Sequence, residues 1–420
     1  MEDRTRALPV FRQRWLGLVH AHGILAGGSL VALAALIPFW QAVLPLLLLI
    51  VLISLIVQHR KGGSTASWRA WSTFLPFAIA VYLLHVVGML WSADQSFGWF
   101  DLQIKAPLLV LPVLMLWLPR KAWTGRDVLL AVFSIACALA VVICVVYAGW
   151  RIVFGSALPP EQVVFSSAWS LFLHPSYFAW YLCFSIAAWC LLPLPRALPA
   201  WIDRTVLAVL VLGVVLCGSK IGWALLGVEL LALLALCWRA QRVRISLLGG
   251  LVGFMIGVAA LVIASPYARD RVQEVWRAST AKEHDAAGAT SSEVRWLTWA
   301  SARELFAEQP LIGTGTGDIK NELMRVYGER GFTIAAEHRL NAHNQFLQTF
   351  ACLGALGGLA LCIMVLAPFY CRPRDALSLL FFALCALNWM VESMLEVQAG
   401  VLFFSFFACV LLWDRPNNEQ

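Results

Sequence analysis

The chain has 420 residues, of which 61% are hydrophobic and only 13% are charged. A soluble globular protein has about 25% charged residues, so this chain could not cover a water-facing surface. The composition therefore excludes a cytosolic enzyme, a disordered chain and a disulfide scaffold, and it indicates an integral membrane protein. The net charge of +7 does not indicate a nucleic-acid partner, because the placement of the charges matters more than their sum.

Twelve apolar runs are candidates for membrane-spanning helices, each of which needs about 20 apolar residues. The runs lie near residues 22–40, 42–57, 72–91, 106–118, 127–150, 174–192, 204–217, 220–238, 245–264, 344–367, 376–391 and 396–413. The sequence thus predicts an all-α integral membrane protein with about 12 transmembrane helices.

The distribution of Lys and Arg predicts the orientation of these helices. If the N-terminus is cytoplasmic and the helices alternate, 18 of the 31 basic residues lie in inside segments and 3 lie in short outside loops. The other 10 lie in segment 265–342. This segment is too long for its Lys and Arg content to indicate which side of the membrane it is on. Because cytoplasmic loops carry an excess of Lys and Arg, both termini are predicted to be cytoplasmic and segment 265–342 to be on the outer side.

The long outer segment has a helical pattern. Thr290-Ser291-Ser292-Glu293 fits a capping box before a helix at 293–308, and a second helix is predicted at 318–327. The Gly-rich stretch between them lacks the context of a phosphate-binding loop and is interpreted as a turn. The predicted organisation is residues 1–264 with helices 1–9, residues 265–342 as an outer, periplasmic lid, and residues 343–420 with helices 10–12 and a cytoplasmic tail.

His343 lies where the outer segment re-enters the membrane, next to Asn344 and Gln345. An imidazole there suits general-base chemistry near neutral pH, whereas a histidine that only caps the tenth helix is an equally good interpretation. His338 lies five residues earlier, so the two histidines do not share a helical face as metal ligands at i and i+4 would. No metal site is therefore predicted.

Three basic residues of the outer side could hold an anion. Lys220 lies in a short outer loop, where the positive-inside rule disfavours it, and a lipid phosphate would account for it. Arg295 and Arg339 could join it, although cations near membrane ends also snorkel without a ligand. His174 and Tyr177 open the sixth helix at the same face, where Pro175 alone would explain the motif as a helix start.

Together, these motifs resemble the O-antigen ligase and O-antigen polymerase superfamily. The similar motifs are His174-Pro175-Ser176-Tyr177, Gly218-Ser219-Lys220-x-Gly222, Arg295 followed by Pro310-Leu311-Ile312-Gly313-Thr314-Gly315, and His343-Asn344-Gln345-Phe346-Leu347-Gln348. The His-Asn motif after a long outer segment is the most specific of them. The resemblance covers nearly the whole chain.

The resemblance implies an inverting glycosyltransferase of the bacterial inner membrane that needs neither a metal nor a cofactor. It would move a glycan from undecaprenyl diphosphate to a sugar hydroxyl of lipid A–core at the periplasmic face. By this resemblance His343 would be the base, and Lys220 and Arg295 would hold the donor diphosphate. Arg339, a basic residue of the same outer side, is the third candidate for binding the diphosphate. The family commonly has Arg at the position of Lys220. Lys keeps the positive charge but cannot form the two parallel hydrogen bonds that a guanidinium makes with a phosphate. Candidate supporting residues are His174, Tyr177, His338, Asn344 and Gln345.

Three alternatives remain open. An O-antigen polymerase and a protein O-oligosaccharyltransferase share the implied fold and differ in the acceptor. A polytopic transporter belongs to a different class and would show internal repeats and charges at the membrane midplane. The polar residues of this chain gather at the outer face, which favours an enzyme. Outer loop 92–105 contains Asp94 and Asp101 but no acidic pair of the kind that binds a metal in other membrane glycosyltransferases.

Overall fold

The computed structural model describes residues 25–60, 74–116, 125–155, 157–164, 169–193, 198–280, 290–370 and 375–412. Within these residues the regular structure is helical, and no strand is present. Both chain termini, whose cytoplasmic location the sequence predicts, lie outside the described residues.

The helices of the main bundle occur where the apolar runs predict them. Their bounds are Leu25–Leu36, Leu44–Arg60, Phe74–Gly88, Pro107–Leu116, Arg126–Phe154, Pro175–Leu191, Ala200–Leu216, Lys220–Leu236, Gln241–Ala264, Gln345–Tyr370, Ala376–Trp389 and Gln398–Leu412. Among the described residues, four helices are long and apolar enough to cross a membrane. They are Gln95–Leu114, Arg126–Phe154, Val243–Ala264 and Gln345–Tyr370, and shorter apolar helices accompany them. This supports an α-helical membrane protein, while the count of 12 crossings stays a prediction.

Aromatic side chains form the centre of the bundle. Phe133 and Phe184 pack against Phe403 and Phe407, with ring centroids between 4.5 and 6.0 Å apart. These four rings are fully buried. Tilted and edge-to-face ring pairs stabilise such a core beyond the area they bury, and here they hold two helices from the first half of the chain against its last helix.

The outer segment is helical, as the sequence predicts. Its helices are Pro266–Thr280, Ser291–Glu308, Ile319–Arg330 and Thr333–Glu337. The capping box is present: the Glu293 N–H donates to Thr290 Oγ1 over 3.3 Å, and the Thr290 N–H donates to Glu293 Oε2 over 3.0 Å. The second predicted helix begins at Ile319 rather than at residue 318 and continues three residues beyond its predicted end, to Arg330.

Outer loop 92–105 is where the structure corrects the sequence analysis. Residues Gln95–Lys105 form a helix, and Lys105 is 1% exposed instead of lying in a loop. Its ammonium group forms ion pairs with Asp101 and, over 3.1 Å, with Glu396. A buried charge is tolerated only when it is paired, so the lysine and the two acids belong to one buried cluster. The hydrophobicity pattern missed this helix because its buried face is charged.

The Gly-rich turn docks against a break in the Gln345–Tyr370 helix. Gly354 has φ 64° and ψ −161°, which interrupts the helical hydrogen bonds there. The turn replaces them: Gly315 N–H donates to Cys352 O over 2.9 Å, and Ala355 N–H donates to Pro310 O over 2.8 Å. A Cβ on Gly313 would lie 2.5 Å from the Cys352 carbonyl group. These glycines therefore allow two backbones to touch, and the motif is the turn that the sequence predicts.

The lid is also tied to the Gln95–Lys105 helix. Both carboxylate oxygens of Asp318 accept backbone N–H groups, from Ala93 and Asp94, over 2.7 Å each. Asn321 donates to the Asp94 carboxylate over 3.0 Å. Because these contacts join residues more than 220 positions apart, they fix the second half of the lid relative to the bundle.

Candidate active site

A cavity of about 650 Å³ lies between the lid and the ends of the bundle helices. All four sequence motifs contribute to it, from separate parts of the chain. Its lining includes His174, Pro175, Ser176, Gly218, Ser219, Lys220, Arg271, Val275, Ser291, Ser292, Arg295, Trp296, Trp299, Ile334, Leu340, His343 and Glu392. Sequence positions that are far apart thus share one chamber, in which three cations and two histidines lie among a largely apolar lining.

His343 has a strained backbone conformation that aims it into this cavity. Its φ is 46°, in the left-handed region that residues other than glycine seldom adopt. The His343 N–H donates to Asn341 Oδ1 over 3.0 Å, and the His343 carbonyl accepts the Trp299 indole N–H over 3.1 Å. Residues held in such conformations by surrounding contacts occur often at functional sites.

Asn344, and not His343, caps the helix that follows. Asn344 Oδ1 accepts the Leu347 N–H over 3.0 Å, which is an N-cap contact for the Gln345–Tyr370 helix. Asn344 also donates to Met390 O over 2.8 Å. The interpretation of His343 as a helix cap therefore has no support in the geometry, since its neighbour fills that role.

Glu392 orients the His343 ring and fixes its tautomer. His343 Nδ1 lies 3.3 Å from Glu392 Oε2. Burial by itself raises the pKa of Glu392, but the hydrogen bond from His343 and the charge of Arg295 outweigh it and lower this pKa to about 2. An ionised carboxylate can only accept, so Nδ1 carries a proton, and in the neutral imidazole the Nε2 lone pair is then left for chemistry. This is the orientation that a general base requires.

Arg295 joins the same carboxylate from the lid. Its Nη2 donates to Glu392 Oε1 over 2.6 Å, its Nε to Val391 O over 3.1 Å and its Nη1 to Ser291 O over 3.1 Å. These contacts use three of the five N–H groups of the guanidinium. Arg295 therefore has donors left for a ligand while it holds the lid helix to the chain segment that carries Glu392.

Lys220 lies at the other side of the cavity, in contact with the lid. Its Nζ forms an ion pair with Glu274 and donates to Ser292 Oγ over 2.9 Å and to Ser291 Oγ over 3.1 Å. Lys220 thus has an acidic partner on the Pro266–Thr280 helix, which the sequence of its own loop does not reveal. Arg271 of that helix also lines the cavity. The chamber thus contains three cations, of which Lys220 and Arg295 are each paired with a carboxylate, by Glu274 and Glu392.

The remaining predicted site residues divide into two groups. His174 lines the cavity and caps the Pro175–Leu191 helix, its Nδ1 lying 2.8 Å from Ser176 Oγ. Tyr177 is half-buried and packs against the hydrophobic core. His338 and Arg339 are exposed and do not line the cavity, and Arg339 donates to Asn321 over 3.3 Å.

Gln345 has a structural role beneath the site. It is 1% exposed, its Oε1 accepts the Leu395 N–H over 2.6 Å, and its Nε2 donates to Glu396 Oε1 over 3.1 Å. Ser393 Oγ accepts the Asn344 N–H over 3.0 Å. These contacts fix the start of the Gln345–Tyr370 helix to the segment that carries Glu392. They thereby keep the His343 ring within reach of the Glu392 carboxylate.

The position of Glu392 in the outer hairpin of the last two helices makes this acid a functional candidate from the sequence, but no local pattern pairs it with His343. The sequence analysis missed Arg271 and Glu274 as site residues. Arg271 and Glu274 lie on a helix that was not individually predicted. Among the residues that the structure describes, no group of three or more His, Cys, Asp or Glu side chains is arranged to hold a metal ion.

The helical bundle and this chamber define an α-helical membrane protein with a basic, histidine-containing cavity at one end. Residues 205–362 match the family model described as O-antigen ligase. The match confirms the resemblance to the O-antigen ligase superfamily and supports a membrane glycosyltransferase of the O-antigen ligase or polymerase type. It includes Lys220, Arg295 and His343, whereas His174 and Glu392 lie outside it. No curated protein matches the chain.

Proposed function

We propose that the protein transfers an O-antigen glycan from undecaprenyl diphosphate to a sugar hydroxyl of lipid A–core, with inversion and without a metal. The observation that carries the proposal is one cavity that combines three cations with a histidine–carboxylate pair. The family match supports the class of enzyme, and the chemistry of the cavity residues supports the donor and the base.

The cations suit a diphosphate leaving group. As the bond between the anomeric carbon and the phosphate oxygen breaks, negative charge builds on the diphosphate. Lys220, Arg271 and Arg295 would stabilise that charge, together with the hydroxyl groups of Ser291 and Ser292. Preorganised positive charge at a developing anion lowers the barrier. Apolar helices that flank the cavity would accommodate the prenyl chain.

The histidine–carboxylate pair suits the acceptor. The acceptor oxygen attacks the anomeric carbon from the side opposite the diphosphate, and its proton passes to Nε2 of His343. Glu392 stabilises the imidazolium that forms. Undecaprenyl diphosphate leaves with the electron pair of the broken bond. A positioned base of this kind contributes about 10²–10⁴-fold to the rate.

The distribution of Lys and Arg supports a reaction at the periplasmic face of the bacterial inner membrane, with both termini in the cytoplasm. O-antigen polymerase and protein O-oligosaccharyltransferase activities remain the alternatives on the same fold. A transporter is disfavoured because the described polar site lies at one end of the bundle, with an oriented base in it.

The lipopolysaccharide of a strain that lacks the protein distinguishes these acceptors. For a ligase, we expect lipid A–core without O-antigen while lipid-linked polymer accumulates, and the wild-type gene restores the ladder on a gel. Core that carries a single repeat unit would instead indicate a polymerase. Unchanged lipopolysaccharide would contradict both.

Replacing Lys220 by Ala is expected to raise the KM for the lipid-linked donor by about 10-fold or more, the value of one charge-assisted contact. Lys220→Arg should keep most of the activity. Glu274→Gln is the matched control: it breaks the ion pair with Lys220 but leaves the cation in place. If Glu274→Gln impairs donor use as much as Lys220→Ala does, Lys220 acts only by holding the lid. Initial rates at varied donor concentration give the answer.

A further inference from the structure

The cavity is lined by charged side chains and by aromatic and aliphatic ones. The charged residues include Lys220 and Arg271, and the lid also contributes Trp296, Trp299, Ile334 and Leu340. We name Trp296 and Trp299 the aromatic wall. Their ring centroids are 5.1 Å apart at an interplanar angle of 62°. The diphosphate contacts described above leave this wall without an assigned ligand.

The aromatic wall is in direct contact with the residue that carries the base. The indole N–H of Trp299 donates to the His343 carbonyl over 3.1 Å, so the wall and His343 cannot separate without breaking this bond. Trp296 lines the same cavity and is 39% exposed, so part of its side chain can be reached by a ligand.

An indole face recognises the ring of a sugar. One face of a pyranose presents several C–H groups and is apolar, while the hydroxyl groups point outward around its edge. An aromatic side chain offers a flat apolar surface with a positive edge and little conformational freedom to lose. In many ligand sites, aromatic side chains bind the apolar face of the ligand, and a few precisely positioned polar groups fix its orientation.

We propose that the aromatic wall binds the acceptor sugar and presents its hydroxyl group to His343, an inference that rests on the proposed function. The donor sugar is attached to the diphosphate and so follows the position of the leaving group. In an inverting attack the acceptor approaches from the opposite side of the anomeric carbon. The base must touch the acceptor oxygen, and the wall is bonded to the residue that carries the base.

Steady-state kinetics of the full-length protein test this assignment, with lipid A–core as the varied acceptor and the undecaprenyl diphosphate-linked glycan as donor. Trp296→Ala should raise the KM for the acceptor by about 10-fold, the scale of one lost ring-stacking contact, and change the KM for the donor by less than about 2-fold. Trp296→Phe keeps a flat ring and should recover most of the acceptor affinity. Trp276→Ala is the matched control, because that tryptophan is 72% exposed and does not line the cavity.

The outcomes separate this inference from the proposed function. An unchanged acceptor KM in Trp296→Ala, in protein that transfers glycan, overturns the acceptor assignment alone. A raised donor KM with a normal acceptor KM also overturns it and moves the donor sugar to the wall. A folded wild-type protein that transfers nothing to lipid A–core overturns both. If Trp296→Ala does not fold, Trp296→Phe and Trp296→Leu are compared instead, and equal acceptor KM values for the two contradict ring stacking.

Discussion

His343→Asn is expected to lower turnover by about 10²-fold or more, as befits the loss of a general base, and to leave the KM for the donor near its wild-type value. Asparagine is the informative replacement because it tolerates the left-handed conformation of this position, where φ is 46°. The following helix should stay capped, since Asn344 provides that contact. The measurement is the rate of glycan transfer at saturating donor and acceptor.

The pH dependence separates a base from a structural residue. The wild-type rate should have an ascending limb with rising pH, because a general base acts only without its proton, and this limb should be absent in His343→Asn. His338→Asn is the matched control, because His338 is exposed and does not line the cavity. Near-normal transfer by folded His343→Asn would remove the proposed base.

Glu392→Gln is expected to lower turnover by about 10²–10⁴-fold, the range for general-base catalysis and for changing the carboxylate of an acid–histidine pair to an amide. The amide can donate to Nδ1 and so select the wrong tautomer, and it cannot stabilise the imidazolium. It also leaves Arg295 without its charged partner. Transfer rates of Glu392→Gln and of His343→Asn should be similar, and the double variant should be little worse than either, because the two residues act as one unit.

Glu392→Gln should also change how the thermal stability of the protein depends on pH. The pKa of Glu392 is lowered to about 2 in the folded protein, so the carboxylate stabilises the fold above its ordinary pKa of about 4.5 and this contribution is lost as the pH falls towards 2. Wild type should therefore melt at a higher temperature than Glu392→Gln at pH 7, and the difference should shrink below about pH 4. A difference that is constant from pH 7 to pH 3 would mean that the carboxylate is not held as described.

Local signals in the sequence predicted the helices and several site residues. The capping box of Thr290 and Glu293 depends on residues three positions apart, and hydropathy alone located the bundle helices. Lys220, Arg295 and His343 were identified by residue type, position and family motif, and the structure brings them to one cavity. These features depend on short stretches of chain, which a sequence displays directly.

Long-range pairing explains what the sequence did not predict. Glu392 lies 49 residues from His343, and Glu274 lies 54 residues from Lys220, so no local pattern links them. The burial of Lys105 depends likewise on Glu396, 291 positions away. For Arg339 the sequence suggested a site residue that the structure does not place in the cavity. Its position near a motif predicted diphosphate binding, but it is exposed and does not line the cavity.

The most direct test of the central claim is transfer by the purified protein in liposomes that contain undecaprenyl diphosphate-linked glycan and lipid A–core, with excess chelator. We expect glycan to appear on lipid A–core with inverted configuration at the transferred anomeric carbon, one undecaprenyl diphosphate to be released for each transfer, and His343→Asn to abolish the product. Retained configuration, transfer that returns only when magnesium or manganese is added, or no transfer by folded wild-type protein would contradict the account.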